Sequence, residues 1–255
     1  MFIPLHDANS LKHIKMQYVT IGLIVFDAVI YLFTVLHGQG FAEATAVSLG
    51  YIPAVAFDHA ELPPQLELVP ESFTYLTYAF LHSDIFHLGG NMLFLWVFGD
   101  NVEDALGHIR FLVFYLLCAA GGALLHGLVV PNSQMPLIGA SGAIAGIVTA
   151  YLVLHPRVKI WVLAFGRIPL RIPAWIAILA WILFQFGMML FGDEEQISWA
   201  CHVGGILTGA ALVLILKRHG VPVLDREIVT PRSVAVDQTS AVEPLPAVPL
   251  RWGRR

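Results

Sequence analysis

Gly139-Ala140-Ser141-Gly142 stands at the start of an apolar run that extends to His155. A second stretch, Ala200-Cys201-His202-Val203-Gly204-Gly205, opens another apolar run, which extends to Leu216. A hydroxyl and an imidazole are costly to hold inside a membrane, so polar side chains in such runs point to function. Together they indicate a nucleophile and its base on two neighbouring membrane helices.

Composition defines the environment of these stretches. Of the 255 residues, 57% are apolar and only 13% are charged, and the mean hydropathy is +0.74. This balance is far from that of a soluble domain and predicts an all-α polytopic membrane protein. Apolar segments near the length that a bilayer requires predict six spans. They cover residues 17–37, 85–99, 111–130, 141–155, 173–191 and 199–216.

The basic residues predict the orientation, because Lys and Arg near membrane spans stay on the cytoplasmic side. In a six-span arrangement with both termini inside, all 14 Lys and Arg residues fall on that side. The opposite loops, 38–84, 131–140 and 192–198, contain none. We therefore expect a multi-pass protein of a bacterial cytoplasmic (inner) membrane with both termini cytoplasmic. Since no basic patch is present and the net charge is -4, nucleic acid is excluded as a partner.

The same pattern divides the chain into three parts. Residues 1–16 are predicted to form a cytoplasmic N-terminal segment, and residues 17–216 form the six-helix membrane domain with an outer loop at about 38–84. Residues 217–255 are rich in Pro and charge, which predicts a disordered cytoplasmic tail.

Helix rise places the two catalytic-type residues at one depth. Ser141 lies 14 residues before His155, and His202 lies 14 residues before Leu216. At 1.5 Å per residue both lie about 21 Å above the cytoplasmic boundary. Stripes of small residues on the two helices let the backbones approach closely, which brings the hydroxyl and the imidazole within reach. The small residues are Gly142 and Gly146 on the fourth span and Gly205 and Gly209 on the sixth.

A third motif opens the second span. His87 and Asn91 are four residues apart and share one helix face, near the depth of Ser141. Two neutral donors at this depth suit a developing oxyanion, where one Asn donor is worth about 10² to 10³ in rate. Backbone N–H groups at the start of the fourth helix add donors and a favourable dipole.

In this order, and on spans two, four and six, the motifs resemble those of the rhomboid family of intramembrane serine proteases. The resemblance covers roughly residues 15–217 and implies a six-helix rhomboid-like bundle. It implies a Ser-His dyad that cleaves transmembrane protein substrates in or near their membrane segment. The implied roles are nucleophile for Ser141, general base for His202, oxyanion donors for His87 and Asn91, backbone support for Gly139 and Ala140, and a structural or water-organising role for His82.

Two positions depart from the family pattern. Rhomboids often carry Trp-Arg in the first outer loop where this chain has Phe73 and Thr74. They also often carry an aromatic residue four positions after the nucleophile, and here that residue is Ala145. Neither change removes a chemical group, but the sequence leaves open how the imidazole of His202 is held.

Other classes of protein fit less well. No His-Glu-x-x-His motif is present for a metalloprotease, and only Asp27 lies within a span where an aspartyl protease needs two Asp residues. The sequence shows no repeated halves of the kind that would indicate a transporter. The alternative is a non-catalytic rhomboid-like protein that binds transmembrane clients. We expect no metal and no cofactor, transmembrane substrates and the lipid bilayer as partners, and leave the oligomeric state open.

Overall fold

The computed structural model describes residues 2–164, 166–192 and 197–224, which form a helical bundle with one small sheet. The predicted tail therefore lies mostly outside the described residues. The helices are α1 (Tyr18–Leu36), α2 (Gln39–Leu49), α3 (Pro53–Ala56), α4 (Glu71–Thr77), α5 (Ile85–Leu106), α6 (His108–Val129), α7 (Ser141–Leu154), α8 (Ala174–Phe191) and α9 (Trp199–Leu216). Short 3-10 turns lie at Pro64–Leu66 and Tyr78–Phe80.

Each predicted span overlaps a helix, and the fold is a mostly helical membrane bundle. Among the described residues, α1, α6, α8 and α9 are long and apolar enough to cross a membrane. Helix α7 is apolar but has only 14 residues. Helix α5 has 22 residues and carries polar side chains near both ends. The count of six spans therefore stays a prediction.

Helix α7 lies at the centre of the bundle and packs against α5, α6, α8 and α9. Its sequence alternates small and branched apolar residues, and almost every position from Gly142 to Tyr151 is buried. A helix that is apolar on all sides belongs in a protein core or in a membrane, and α7 lies in the core of a membrane bundle. The residue at its first position, Ser141, is thus surrounded by protein on most sides.

The two helices of the predicted dyad are in backbone contact. A Cβ atom on Gly205 of α9 would overlap the carbonyl oxygen of Gly142 on α7, and one on Gly209 would lie 2.5 Å from the carbonyl oxygen of Gly146. Only glycine fits at such distances, as the small-residue stripes predicted. The separation of α7 and α9 is therefore set by main-chain atoms.

The far end of α5 ties the start of the chain to the bundle. The buried carboxylate of Glu103 accepts hydrogen bonds from the N–H of Thr20 (2.8 Å), the hydroxyl of Thr20 (2.7 Å) and ring Nδ1 of His108 (2.5 Å). Next to it, Asp104 accepts from the backbone N–H groups of residues 12–14. These bonds satisfy the unpaired donors at the start of α1 and before it.

A three-stranded antiparallel sheet of order β1-β2-β3 was not predicted from the sequence. It consists of β1 (Phe2–Asp7), β2 (Lys159–Ala164) and β3 (Ile168–Pro173), so the N-terminal residues pair with the connection between α7 and α8. Asp7 ends β1, and its Oδ2 accepts from Nδ2 of Asn101 (2.9 Å) and from the hydroxyl of Tyr151 (2.8 Å). Burial raises the pKa of Asp7 to about 6.

The predicted outer loop, residues 38–84, folds into α2, α3 and α4 rather than an irregular chain. Tyr51 and Leu137 exchange two backbone hydrogen bonds of 3.1 and 2.8 Å, which fasten this loop to the segment before α7. At the positions of the family's Trp-Arg pair, Phe73 is exposed and the hydroxyl of Thr74 donates to the carbonyl of Glu71 within α4.

Candidate active site

Ser141 occupies the first position of α7, and the residues before it set the turn. Gly139 has φ of +117°, a conformation that side-chain-bearing residues rarely adopt, and its N–H donates to the carbonyl of Tyr78 at 2.9 Å. Ala140 is fully buried and precedes a helix start that has no side-chain cap. The first N–H groups of a helix lack intrahelical partners, so donors remain available around Ser141.

His202 lies one turn into α9, whose start is capped by Ser198. The Oγ of Ser198 accepts from the N–H of Cys201 at 3.1 Å. Cys201 in turn lies against Gly142, because a Cβ atom on that glycine would be 2.6 Å from its Sγ. The residue after Ser141 thus contacts the residue before His202, which keeps the two catalytic-type residues adjacent.

Both side chains line one cavity of about 690 Å³. The cavity also contains His87 and His126, so three imidazoles and a serine hydroxyl face the same space. Its remaining lining comes from the residues just before α5, from the residues between α6 and α7, and from the residues just before α9. The structure therefore brings Ser141, His202 and His87 to one cavity.

The ring of His202 is held by α8, an arrangement that the sequence did not predict. Its Nδ1 lies 2.9 Å from Oε1 of Gln185, which is buried in α8. Trp181 stacks against the ring with centroids 6.5 Å apart and planes at 30°, and Trp199 meets it edge-on at 6.0 Å and 89°. Gln185, Trp181 and Trp199 therefore hold the imidazole of His202, although position 145 is Ala rather than an aromatic residue. A lone Gln within an apolar span was the signal that could have found this contact.

The hydrogen bonds around His87 determine which of its nitrogens carries a proton. The hydroxyl of Ser83 donates to Oδ2 of Asp84 at 2.9 Å, so its oxygen is left to accept from Nδ1 of His87 at 3.1 Å. Asp84 also caps α5 through the N–H groups of Phe86 and His87. The His87 N–H, followed by the Ser83 hydroxyl, lowers the pKa of Asp84. A neutral His87 therefore has its lone pair on Nε2, and donates from that atom only when protonated or after the Ser83 hydroxyl turns.

Asn91 provides a donor that needs no such change. Its Nδ2 is buried and has no hydrogen-bond partner among the described residues. That atom lies 3.7 Å, and Nε2 of His87 2.6 Å, from the place where a Cβ atom on Gly139 would stand. Both nitrogens therefore point to the turn before Ser141. Gly139 has to be glycine because any side chain would enter this space.

His82 stands behind His87 rather than in the cavity. Its ring meets that of His87 edge-on at 5.1 Å, and neither of its nitrogens has a partner in the described part of the chain. Burial lowers the pKa of His82 to about 4, so the ring is neutral near neutral pH. Its position supports the ring of His87. No group of three metal-ligating side chains lies close together in residues 2–164, 166–192 and 197–224.

Comparisons with known proteins agree with this geometry. The family model described as "Rhomboid domain" matches residues 69–219. "Rhomboid protein 1, mitochondrial" of Saccharomyces cerevisiae is 30% identical over 151 residues, which cover 57% of this chain and 42% of that protein. "RHOMBOID-like protein 6, mitochondrial" of Arabidopsis thaliana is 31% identical over 146 residues, covering 57% and 44%. "Rhomboid-related protein 1" of Caenorhabditis elegans is 31% identical over 149 residues, covering 54% and 38%.

These matches span less than half the length of each of these curated relatives. The family-model match, residues 69–219, includes α4 to α9 and hence every residue of the cavity described above that the sequence analysis had singled out. The matched family model covers more than half of the chain. This chain belongs to the rhomboid family.

Proposed function

We propose that this protein is an intramembrane serine endopeptidase that cleaves transmembrane proteins in or near their membrane segment. The observation that carries the proposal is the shared cavity of Ser141 and His202, beside the Nδ2 of Asn91, which has no hydrogen-bond partner within the described part of the chain. A nucleophile, a base and a donor for the oxyanion are the three groups that acyl transfer needs. Family membership supports a protease-type fold.

The proposed reaction has two halves. His202 takes the proton of the Ser141 hydroxyl, and the oxygen attacks the scissile carbonyl to form a tetrahedral oxyanion. Donors from Asn91 and from the N–H groups at the start of α7 stabilise that charge. The protonated His202 then gives its proton to the leaving amine, and an acyl-enzyme remains. Water, deprotonated by His202, attacks the acyl carbon and releases the new carboxyl end.

The short α7 supports a membrane substrate. A helix of 14 residues spans about 21 Å, so Ser141 lies about 9 Å below the outer face of a hydrocarbon core of about 30 Å. Irregular backbone before α7 is tolerated at that depth only beside a cavity or within protein. The cavity over Ser141 would admit water, and a transmembrane helix arriving from the bilayer would meet the nucleophile near its own end.

A mutational comparison tests the proposal. Purified protein in proteoliposomes is incubated with a model transmembrane substrate, and wild type is compared with Ser141→Ala and His202→Ala. Ser133 lines the same cavity, so Ser133→Ala is the matched control. We expect cleavage to vanish in the first two variants and to persist in the control. A fluorophosphonate probe should label Ser141 alone. Cleavage that survives loss of either dyad residue contradicts the assignment.

The second candidate is a non-catalytic protein that binds transmembrane clients in the same cavity. It predicts no cleavage by the wild type, no probe labelling at Ser141, and unchanged client capture after Ser141→Ala. The Gln185 and Trp181 contacts favour the protease, because a client-binding protein has no need to hold one imidazole from two sides.

Orientation and membrane are separate proposals. Lys and Arg favour both termini on the cytoplasmic side, and the pairing of β1 with β2 supports this, because it requires residues 2–7 and 159–164 to share a side. We also propose that the protein is of the bacterial six-span type and lies in a bacterial cytoplasmic membrane. The yeast and plant relatives named above are mitochondrial and give that choice of membrane no support. Cysteine accessibility at His6 and Asp58 tests the sidedness.

A further inference from the structure

Gln185 is the polar side chain within α8 that contacts the proposed base. It is 2% exposed, in a helix that otherwise consists of apolar residues and glycine. Burying an amide without a hydrogen bond is unfavourable, so a buried Gln in a span needs a partner. Its Oε1 has that partner in Nδ1 of His202 at 2.9 Å.

The direction of this bond has a chemical consequence. A carbonyl oxygen is an acceptor only, so Nδ1 of His202 must carry the hydrogen. A neutral imidazole has one N–H, and its lone pair is then on Nε2. The amide of Gln185 thus selects the tautomer whose Nε2 is basic. With Oε1 of Gln185 facing Nδ1, the opposite tautomer would leave two acceptors facing each other.

The rest of α8 supports the same orientation. Trp181 lies one turn before Gln185 on the same helix and stacks on the His202 ring at 30°. Gln185 therefore fixes the rotation of the His202 ring within its own plane, and Trp181 fixes the orientation of that plane. Ala145 on α7 presents only a methyl group, so the orientation of His202 comes from α8 and from Trp199.

We propose that Gln185 is a positioning residue that fixes the catalytic tautomer of His202, and that α8 is thereby part of the catalytic apparatus. The inference rests on the proposed function. In Ser-His-Asp enzymes a carboxylate holds the imidazole and also stabilises the imidazolium. A neutral amide supplies the first service without placing a second charge in the membrane, where an ionised carboxylate is expensive. Gln185 is thus an uncharged third residue beside the proposed Ser141–His202 dyad.

Three substitutions separate orientation from packing. Gln185→Met keeps the length of the side chain and removes the acceptor, whereas Gln185→Glu keeps an acceptor and adds a charge. Leu183→Met, on the exposed part of α8, is the matched control. The titratable groups that line the cavity, Asp84, His87 and His126, are unchanged in all three.

The first readout needs no activity. Nitrogen-15 NMR of histidine-labelled protein resolves the tautomer of His202, whose signal among the 11 histidines is assigned by its absence in His202→Asn. We expect an Nδ1–H tautomer in wild type, in Leu183→Met and in Gln185→Glu, and a mixture of tautomers in Gln185→Met. An Nε2–H tautomer in wild type, or no change in Gln185→Met, overturns the proposal.

The second readout is the kinetics of cleavage in proteoliposomes. Gln185→Met should lower kcat by about tenfold to 10² with little change in KM, because only the orientation of the base is lost. Gln185→Glu should keep most of the activity and move the acid limb of the pH–rate profile to higher pH. Wild-type kcat and an unmoved pH profile in both variants also overturn the proposal. If the wild type cleaves nothing, the protease function fails, while the NMR result still decides the role of Gln185.

Discussion

Gly205 of α9 lies against the backbone of Gly142 on α7, so closely that a Cβ atom on Gly205 would overlap the Gly142 carbonyl oxygen. Between Gly205 and Gly142 the contact is made by main-chain atoms alone. The separation of the helices that carry Ser141 and His202 is therefore governed by two main chains, and a change of side-chain rotamer cannot restore it once it is altered.

Gly205→Ala should separate the two helices and destabilise the protein. Overpacking costs typically about 1 to 3 kcal/mol, which outweighs the roughly 1 kcal/mol that Ala gains over Gly within a helix. We expect a lower unfolding temperature in detergent and a loss of cleavage larger than the loss of stability explains. Gly187→Ala on α8 is the control, because a Cβ atom there meets nothing within 4 Å. It should be neutral or stabilising, and a similar effect at both positions would contradict the role of the contact.

Asn91 and His87 should differ as oxyanion donors. Asn91→Ala should lower kcat by about 10² to 10³, with KM nearly unchanged, since it removes a donor that is ready in the neutral state. His87→Ala should cost less, because the bond from its Nδ1 to Ser83 leaves Nε2 without a hydrogen. Single-turnover kinetics with a transmembrane substrate measure both. Equal losses would mean that His87 donates from Nε2 in the resting enzyme.

Asp7→Asn should change how stability depends on pH. The folded-state pKa of Asp7 is about 6 against an ordinary 3.8, so its stabilising contribution is present below pH 3.8 and is lost as pH rises through 6. The wild type should lose about 2 kcal/mol relative to Asp7→Asn between pH 4 and pH 7, because Asp7 of the unfolded chain is already more than half ionised at pH 4. Thermal unfolding at both pH values checks this, with the exposed Glu61→Gln as control. A difference that does not vary with pH would refute the expectation.

Glu103→Ala should be the most destabilising of these changes. It leaves the N–H groups of Val19 and Thr20 and the Thr20 hydroxyl without their acceptor. Each orphaned buried group costs about 1 to 3 kcal/mol, so the total is expected to exceed about 3 kcal/mol. Thr20→Val, which removes only the hydroxyl bond, should cost about 1 kcal/mol. Denaturant titration in micelles ranks the two, and equal costs would show that the backbone bonds contribute nothing.

The helices could be predicted from apolar runs. Their ends could be predicted only where the apolar run and the helix end at the same residue. The sixth span was predicted at 199–216, and α9 occupies Trp199–Leu216. The second was predicted to stop at residue 99, whereas α5 continues to Leu106. The extra turns carry Glu103 and Asp104, which accept hydrogen bonds from Thr20 and from residues 12–14, more than 80 residues away. Hydropathy cannot detect such long-range pairing.

The same limit applies to the site. The motifs predicted a shared location for Ser141, His202 and His87, because each stands at a definite depth on an apolar helix. The contact of Gln185 depends on how α8 is rotated about its axis, which a uniformly apolar sequence does not encode. The sheet was missed for a related reason: β1 has six residues, includes Pro4, and has its partner strand in what reads as a basic connecting loop.

The pairing of β1 with β2 has a consequence for the order of synthesis. Residues 2–7 leave the ribosome about 155 residues ahead of Lys159–Ala164, a delay of roughly ten to thirty seconds at 5 to 20 residues per second. During that time α1, α5, α6 and α7 must enter the membrane, while β1 cannot yet pair because β2 has not been synthesised. A nascent chain that stops before residue 159 can therefore contain Ser141 and still lack the strand that joins its beginning to the bundle.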